Sequence, residues 1–318
     1  MSCKYGLFNE TPFGYTYMSC KYGLFNETPF GYTYMSCKYG PLMKRKEIYQ
    51  NMNIIVCMKQ IPDTSEIKID PETNTLIRAG VPSIVNPYDK NALEAAVQLK
   101  EQHGGTVTVI SMGPPAAKEA LKECLSLGAD RAFLITDRAF GGSDTYATSY
   151  ILASSIQHIG DYDLIICGMQ AMDGDTGQTG ASMSEHLGIP QLTYAVKIEV
   201  ADDTVTVHRE TDDGVMVIST KLPALCTVGK DINEPRTATM KSKMRANKID
   251  IAEIHVDDMP DIDREKIGLK GSPTRVKKTY TPTIKKSGKK LEGLSCDEAV
   301  EALAGFLTEK KILKGELV

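Results

Sequence analysis

The sequence has 318 residues, 42% of them hydrophobic and 25% charged, the balance of a soluble globular protein long enough for a full core and a second small unit. A net charge of −4 argues against a general nucleic-acid binder, and the cysteines Cys3, Cys20, Cys37, Cys57, Cys124, Cys167, Cys226 and Cys296 form no CxxC pair, which removes ordinary iron–sulfur and zinc-ribbon patterns. No apolar stretch approaches about 18 residues and no signal-peptide pattern stands at the start, so no membrane contact is expected and a reducing cytoplasm is the expected compartment.

The chain opens with a repeat. Residues 1–17, MSCKYGLFNETPFGYTY, recur unchanged at 18–34, and a third copy breaks off at Pro41. A solenoid has a longer period and varies between units, so residues 1–51 read as an artefact or a disordered tail, not as repeat architecture. From Met52 the pattern alternates. Short β-branched runs at 53–58, 106–110, 132–135 and 163–166 read as strands. Between them lie helices with readable ends. Asn86 as N-cap and Pro87 at the first helical position start one that Gly104-Gly105 closes, and Pro114 starts a second that stops at Gly128. Ser143 or Asp144 caps a third, ended by Gly160. This rhythm predicts an α/β fold with a doubly wound, mostly parallel sheet and helices on both faces, its ligand beyond the carboxyl ends of the strands.

After Pro190 the runs LTYAVKIEV, TVTVHRET and GVMVISTK are separated by Asp202-Asp203 and Asp212-Asp213-Gly214, which predicts an antiparallel extension. A basic loop follows. Residues 271–288, rich in Lys, Thr and Pro, read as an extended arm leading to a last helix. Ser295 and Glu298 form its capping box, and Val300, Leu303, Phe306 and Leu307 share one face, as in a helix that docks away from its own domain.

The stretch CGMQAMDGDTGQTG at 167–180 sits between a strand and an apparent helix. It is no P-loop, because no Gly-Lys-Ser/Thr follows, and no EF-hand, because Ser184 falls where a Glu is needed; nor does it spell GxGxxG. Gly174, Gly177 and Gly180 could bring bare N–H groups to phosphate oxygens at a helix start. Asp175 could cap that helix, Thr176 and Thr179 could donate to phosphate, and Asp173 could hold a ribose or brace the turn; a capped turn with no ligand stays open on these spacings alone.

Residues 52 to about 313 resemble the β subunits of electron transfer flavoproteins. The matching stretches are VCMKQIPD, VNPYDKNALEAA, SMGPP, GADRAFLITDRAFGGSDT, the turn at 167–180 and NEPRTATMKSKMRANK, in that order. The resemblance implies a flavodoxin-like, three-layer, adenine-nucleotide-binding domain over 52–250 and a C-terminal arm and helix over 251–318 docking on a homologous α subunit. It implies cofactor contacts from Cys57, from Asn86, Pro87, Tyr88 and Asp89, from Met112, and from Gly168, Met169, Gln170, Ala171, Met172, Asp173, Gly174, Asp175, Thr176, Gly177, Gln178 and Thr179. Cys57 and Cys167 would be lining residues, not nucleophiles.

The simple carriers of that family hold AMP and resemble NPFCE where this chain has NPYDK, and a DDC-like triplet where it has GDT. These departures favour the bifurcating type, with FAD in the β subunit and NADH as electron donor. The partners then implied are the α subunit, a flavin dehydrogenase of the acyl-CoA or 2-hydroxy acid type, and ferredoxin or flavodoxin. The chemistry would belong to the flavin, so no catalytic side chain is expected. The five histidines, His103, His158, His186, His208 and His255, show no ligand spacing, and no metal is expected. The resemblance also implies a partner-recognition loop at 233–248, with Met240 as apolar anchor and Arg236, Lys241, Lys243 and Met244 beside it; a solvated charge run is the other reading. Two rivals share the βαβ pattern. A nucleotide-binding stress or signalling module requires a GxxG-x9-G-S/T spacing, which here lands on Pro190, and an adenylating hydrolase requires SGGxDS, which Gly141-Gly142-Ser143-Asp144 matches only in part.

Overall fold

The computed structural model describes residues 51–63, 82–277, 288 and 290–312, together with the backbone of five short antiparallel strands between Phe8 and Met43. The rest of the repeated tail and the middle of the 271–288 arm lie outside the described residues.

The main unit begins with β1, Met52–Cys57. Met52, Ile54 and Val56 enter one buried cluster while Ile55 and Cys57 enter another, the two-residue period of a strand covered on both faces. A small ribbon, β2 (Gln60–Pro62) with β3 (Ser83–Val85), stands apart from the main sheet. There follow α1 (Pro87–His103), β4 (Gly105–Met112), α2 (Lys118–Leu127), β5 (Arg131–Ile135), α3 (Thr145–Ile159), β6 (Leu164–Gly168) and α4 (Thr179–Leu187). The antiparallel extension is β7 (Gln191–Ala201), β8 (Thr204–Thr211) and β9 (Gly214–Lys221). The chain then returns through β10 (Ala224–Val228), α5 (Met240–Ala246), β11 (Ala252–Ile254), the short α6 (Gly268–Gly271) and α7 (Cys296–Glu309).

In space the main sheet runs β9-β8-β7-β10-β6-β1-β4-β5-β11, parallel from β7 to β11. Leu93 and Val97 of α1 and Leu121 and Leu125 of α2 fill one face; Ile151 and Ile156 of α3 and Met183 of α4 fill the other. The doubly wound, three-layer α/β architecture expected from the sequence is therefore present. Among the described residues no helix is long and apolar enough to cross a membrane.

Helix ends follow the expected chemistry with two corrections. Asp144, not Ser143, caps α3 by accepting the Ala147 N–H at 3.0 Å, and the Ser295–Glu298 capping box opens α7. Pro114 stays extended (ψ 164°), as a residue before a proline does, so Pro115–Ala117 forms a 3₁₀ turn before α2 proper begins at Lys118. Asn86 occupies the N-cap position of α1, but its side chain caps nothing there and is spent elsewhere. In the main unit strands β2, β3, β10 and β11 and helices α5 and α6 go beyond the sequence reading. One of them is central: β10 lies between β6 and β7, buried at every position.

Candidate functional site

The order of the sheet reverses at β1. From there the chain first moves outward through β4 and β5, then crosses back to place β6, β10 and β7 on the other side. The last β1–β6 pair is Cys57 with Cys167, and beyond it the two chains diverge into a crevice. A cleft of about 680 Å³ opens there, within the size range of ligand pockets. Its walls come from the β1 exit, Met112 and Gly113 after β4, the segment before α3, and the glycine-rich turn between β6 and α4.

A polar knot holds the crevice. Helix α1 points its start at it, because Pro87 needs no N–H partner and Asn86 and Asp89 turn inward. Buried Asn86 donates from Nδ2 to the Gln170 carbonyl at 2.9 Å and accepts the Met172 N–H at 3.3 Å on Oδ1, so its amide shapes the glycine-rich turn. Asp89, 6% exposed, accepts the Lys59 N–H at 2.8 Å and the Gly168 N–H at 3.1 Å on its two oxygens. Burial pushes its carboxyl up to about 7, opposed by the hydrogen bonds from Lys59, Asn86 and Gly168 and by the Lys59 charge. Outside, the Lys59 ammonium reaches Asp173 at 2.7 Å. Of the two roles open to Asp173, the structure provides the brace.

The turn itself needs its glycines for different reasons. A Cβ on Gly168 would stand 2.4 Å from Asp89 Oδ1 and 2.6 Å from Tyr88 Cβ, and one on Gly180 would stand 2.7 Å from Thr227 Cγ2 and 2.8 Å from Cys167 Sγ. Both are close-approach positions. At Gly177 a Cβ would make only an ordinary contact, 3.7 Å from the Met169 carbonyl oxygen, but the φ of +64° lies in the left-handed region that side chains resist. Asp175 also lies at positive φ (51°) and, contrary to expectation, caps no helix: Gln178 holds the N-cap position of α4 and offers no side-chain hydrogen bond. The first turn of α4 thus lines the cleft at Thr179 and Gly180 without a capping side chain. Thr176 and Thr179 line the same wall, with no hydrogen-bond partner for either hydroxyl among the described residues.

Of the expected cofactor residues, Cys57, Asn86, Asp89, Met112, Gly168 to Ala171 and Gly174 to Thr179 come together on the cleft wall. Pro87, Tyr88, Met172 and Asp173 lie off it. Tyr88 instead carries the Lys230 ammonium over its ring at 4.8 Å and receives Gln170 Nε2 on its hydroxyl at 3.4 Å. The opposite wall, Phe140, Gly142, Ser143, Asp144, Thr145 and Thr148, was not singled out as a site by residue type, although Gly-Gly-Ser-Asp-Thr before a helix has the same glycine-to-helix-start pattern as the turn at 168–179. Burial raises the thiols of Cys57 and Cys167 far above their ordinary values and pushes the core thiol of Cys226 up to about 12, so all three remain protonated, the first two as lining groups of the cleft.

The 233–248 segment stands away from the cleft. Arg236 does not project into solvent. Its guanidinium grips Glu94 (2.8 Å) and Glu101 (2.7 Å) of α1, and the hydrogen bonds outweigh burial to hold the Glu94 carboxyl below its usual value. Asn91 and Asn233 exchange amide bonds at the same base. Beyond this anchor, α5 exposes Met240 (76%), Met244 (60%), Lys241 and Lys243. On α7, Val300, Leu303 and Phe306 are likewise exposed.

A doubly wound α/β domain with a glycine-rich turn and an uncapped helix start at its switch crevice has the architecture of the nucleotide-binding class. The electron transfer flavoprotein domain model matches residues 73–259, more than half of the chain. The chain is 49% identical over 259 residues to the electron transfer flavoprotein subunit beta of Clostridium acetobutylicum, covering 81% of this chain and 97% of that one. It is 45% identical to the caffeyl-CoA reductase–Etf complex subunit CarD of Acetobacterium woodii (82% and 100% covered) and 43% identical to protein FixA of Azotobacter vinelandii (84% and 98%). The chain belongs to the electron transfer flavoprotein family, on the side of its β subunits.

Proposed function

We propose that this chain is the β subunit of a heterodimeric electron transfer flavoprotein of the bifurcating type, with FAD in the switch crevice and NADH as its electron donor. The reading rests on one observation above the rest: glycine-rich backbone, the free hydroxyls of Thr176 and Thr179 and the uncapped start of α4 converge on one cleft. That donor set fits a pyrophosphate, since orphan N–H groups and a helix dipole favour negative charge. Met112 and the buried thiols of Cys57 and Cys167 offer an apolar floor for an adenosine or flavin body. When bound, the flavin supplies hydride acceptance and transfer of single electrons to two acceptors. The chain's own residues bind and orient it: Asn86 fixes the turn, Lys59 and Asp173 brace its rim, and Gly177 lets its backbone come close.

On the same reading α5 presents Met240, Met244, Lys241 and Lys243 to a flavin dehydrogenase, of the acyl-CoA or 2-hydroxy acid type, with Arg236 holding the segment to α1. The apolar face of α7 docks on the α subunit, and ferredoxin or flavodoxin takes the second electron. The name of the CarD relative, a subunit of a reductase–Etf complex, supports an assembly of this kind. The test is anaerobic addition of NADH to the purified αβ complex without dehydrogenase, after quantifying bound FAD and AMP. Two FAD per heterodimer and bleaching of the flavin absorbance are expected. One FAD with AMP, inert to NADH, would place the chain among the simple carriers.

A further inference from the structure

Where the β1–β6 ladder ends, the two strands do not simply part. The last pair is Cys57 with Cys167, and the next available N–H groups, Lys59 on one side and Gly168 on the other, both turn onto the carboxylate of Asp89 from α1. The carboxylate stands in for the ladder bonds the diverging strands no longer make. It joins three elements: the β1 exit, the β6 end and the first turn of α1, whose Asp89 N–H is itself held by the Asn86 carbonyl at 2.9 Å. Gly168 completes the fit, since any Cβ there would collide with Asp89 Oδ1. Both oxygens are occupied by backbone, and each of those backbone segments continues directly into the cleft wall.

We propose that Asp89 is a positioning residue that sets the width of the crevice by clasping the Lys59 and Gly168 amides, and so governs how tightly an adenine nucleotide is held without contacting its charged groups. The inference rests on the nucleotide-binding reading above. The groups facing the clasp are the Lys59 ammonium and the Cys57 thiol from the β1 side, the Cys167 thiol from β6, the Cys124 thiol from α2 and the Asn86 amide; with the three thiols protonated, Lys59 is the one charge among them. A carboxylate accepts both N–H bonds, whereas the protonated acid carries a donor on one oxygen and releases one amide. Because Asp89 titrates near neutrality, the clasp is complete above about pH 7 and half-open below it.

The experiment uses the αβ complex as purified, with two readouts. In hydrogen exchange by mass spectrometry, one of the two peptides carrying the Lys59 and Gly168 amides should lose protection in the wild-type complex as pH falls through 7, after correction for intrinsic rates, and should lack it at every pH in Asp89→Asn, whose amide keeps a single acceptor oxygen. Release of bound nucleotide, followed by filtration, should be about tenfold faster in Asp89→Asn, the effect of one lost charge-assisted hydrogen bond, and should lose the wild-type pH dependence. Wild-type protection and release in the variant, with an unchanged pH profile, would overturn the clasp. If Asp89→Asn does not fold, a wild-type complex whose two amides exchange independently of pH between about 6 and 8 overturns it equally. A wild-type complex containing no adenine nucleotide would instead sink the nucleotide reading, while the exchange result would still decide the clasp.

Discussion

Gly177 is the position in the turn where backbone conformation alone decides. Its φ of +64° costs a non-glycine residue on the order of 1–2 kcal/mol, more for a β-branched one, although an added Cβ would meet only the Met169 carbonyl at an ordinary 3.7 Å. Gly177→Val should therefore leave the fold intact and shift the turn, lowering the flavin-to-protein ratio after gel filtration; full occupancy in a folded variant would remove the turn from the site. Asp89 carries a second residue-scale expectation. Its folded value, raised to about 7, means the native chain holds a proton that the unfolded chain gives up near 3.8. That contribution is fully present below 3.8 and is lost as pH rises through 7, at no more than about 1.4 kcal/mol per pH unit. Urea midpoints of wild type and Asp89→Asn should diverge in the wild type's favour as pH is lowered from 7 to 5, and parallel curves would refute the shift. The proton that relieves the burial of Asp89 also takes an acceptor from one crevice amide, so global stability and local closure respond to pH in opposite directions.

At the scale of elements, the strands and helices with strong punctuation were legible: β1, β4, β5 and β6 from β-branched runs, α1 and α3 from Gly104 and Gly160 at their ends, the β7–β9 meander from its Asp-rich turns. β10 was not. Ala224–Val228 is five residues, buried throughout and without alternation, so no periodicity separates it from a loop next to Pro223. Its place between β6 and β7 depends on long-range pairing that local pattern does not carry. The site shows the same division. Glycine positions were readable as such, but the destinations of the Asn86, Asp89 and Arg236 side chains depend on which distant backbone arrives beside them. Arg236 explains how the 233–248 segment can be anchored to α1 and still expose α5. With its base pinned to Glu94 and Glu101, α5 holds Met240 out at 76% exposure. Met240→Ala should raise the half-saturating dehydrogenase concentration in an electron-transfer assay by roughly 5- to 30-fold, the equivalent of about 1–2 kcal/mol, while flavin content and NADH reduction stay unchanged. An unchanged half-saturation would make α5 a solvated face. Lys241→Ala with Lys243→Ala should slow association chiefly at low salt, since rim charges steer encounter.

At the scale of the whole molecule, the two buried clusters are complete without α7. Each is closed by sheet and helices from residues 52–267, and α7 contributes nothing to either. Yet α7 is a well-made helix, with a reciprocal Ser295–Glu298 capping box and an apolar row at Val300, Leu303 and Phe306 standing 49–66% exposed. A 14-residue helix is marginal in water on its own, and on the proposed reading its apolar face is buried against the α subunit. Two properties should therefore separate on truncation. Ending the chain before Lys290 should leave the unfolding midpoint of the nucleotide domain unchanged, because no core side chain is removed, but should abolish copurification of the α subunit. Replacing Leu303 and Phe306 with Ser should reproduce the loss while keeping the helix cap. Copurification at undiminished stoichiometry from both variants would show that α7 does not carry the heterodimer, and a fall in the domain's own midpoint would show that it belongs to the domain's core.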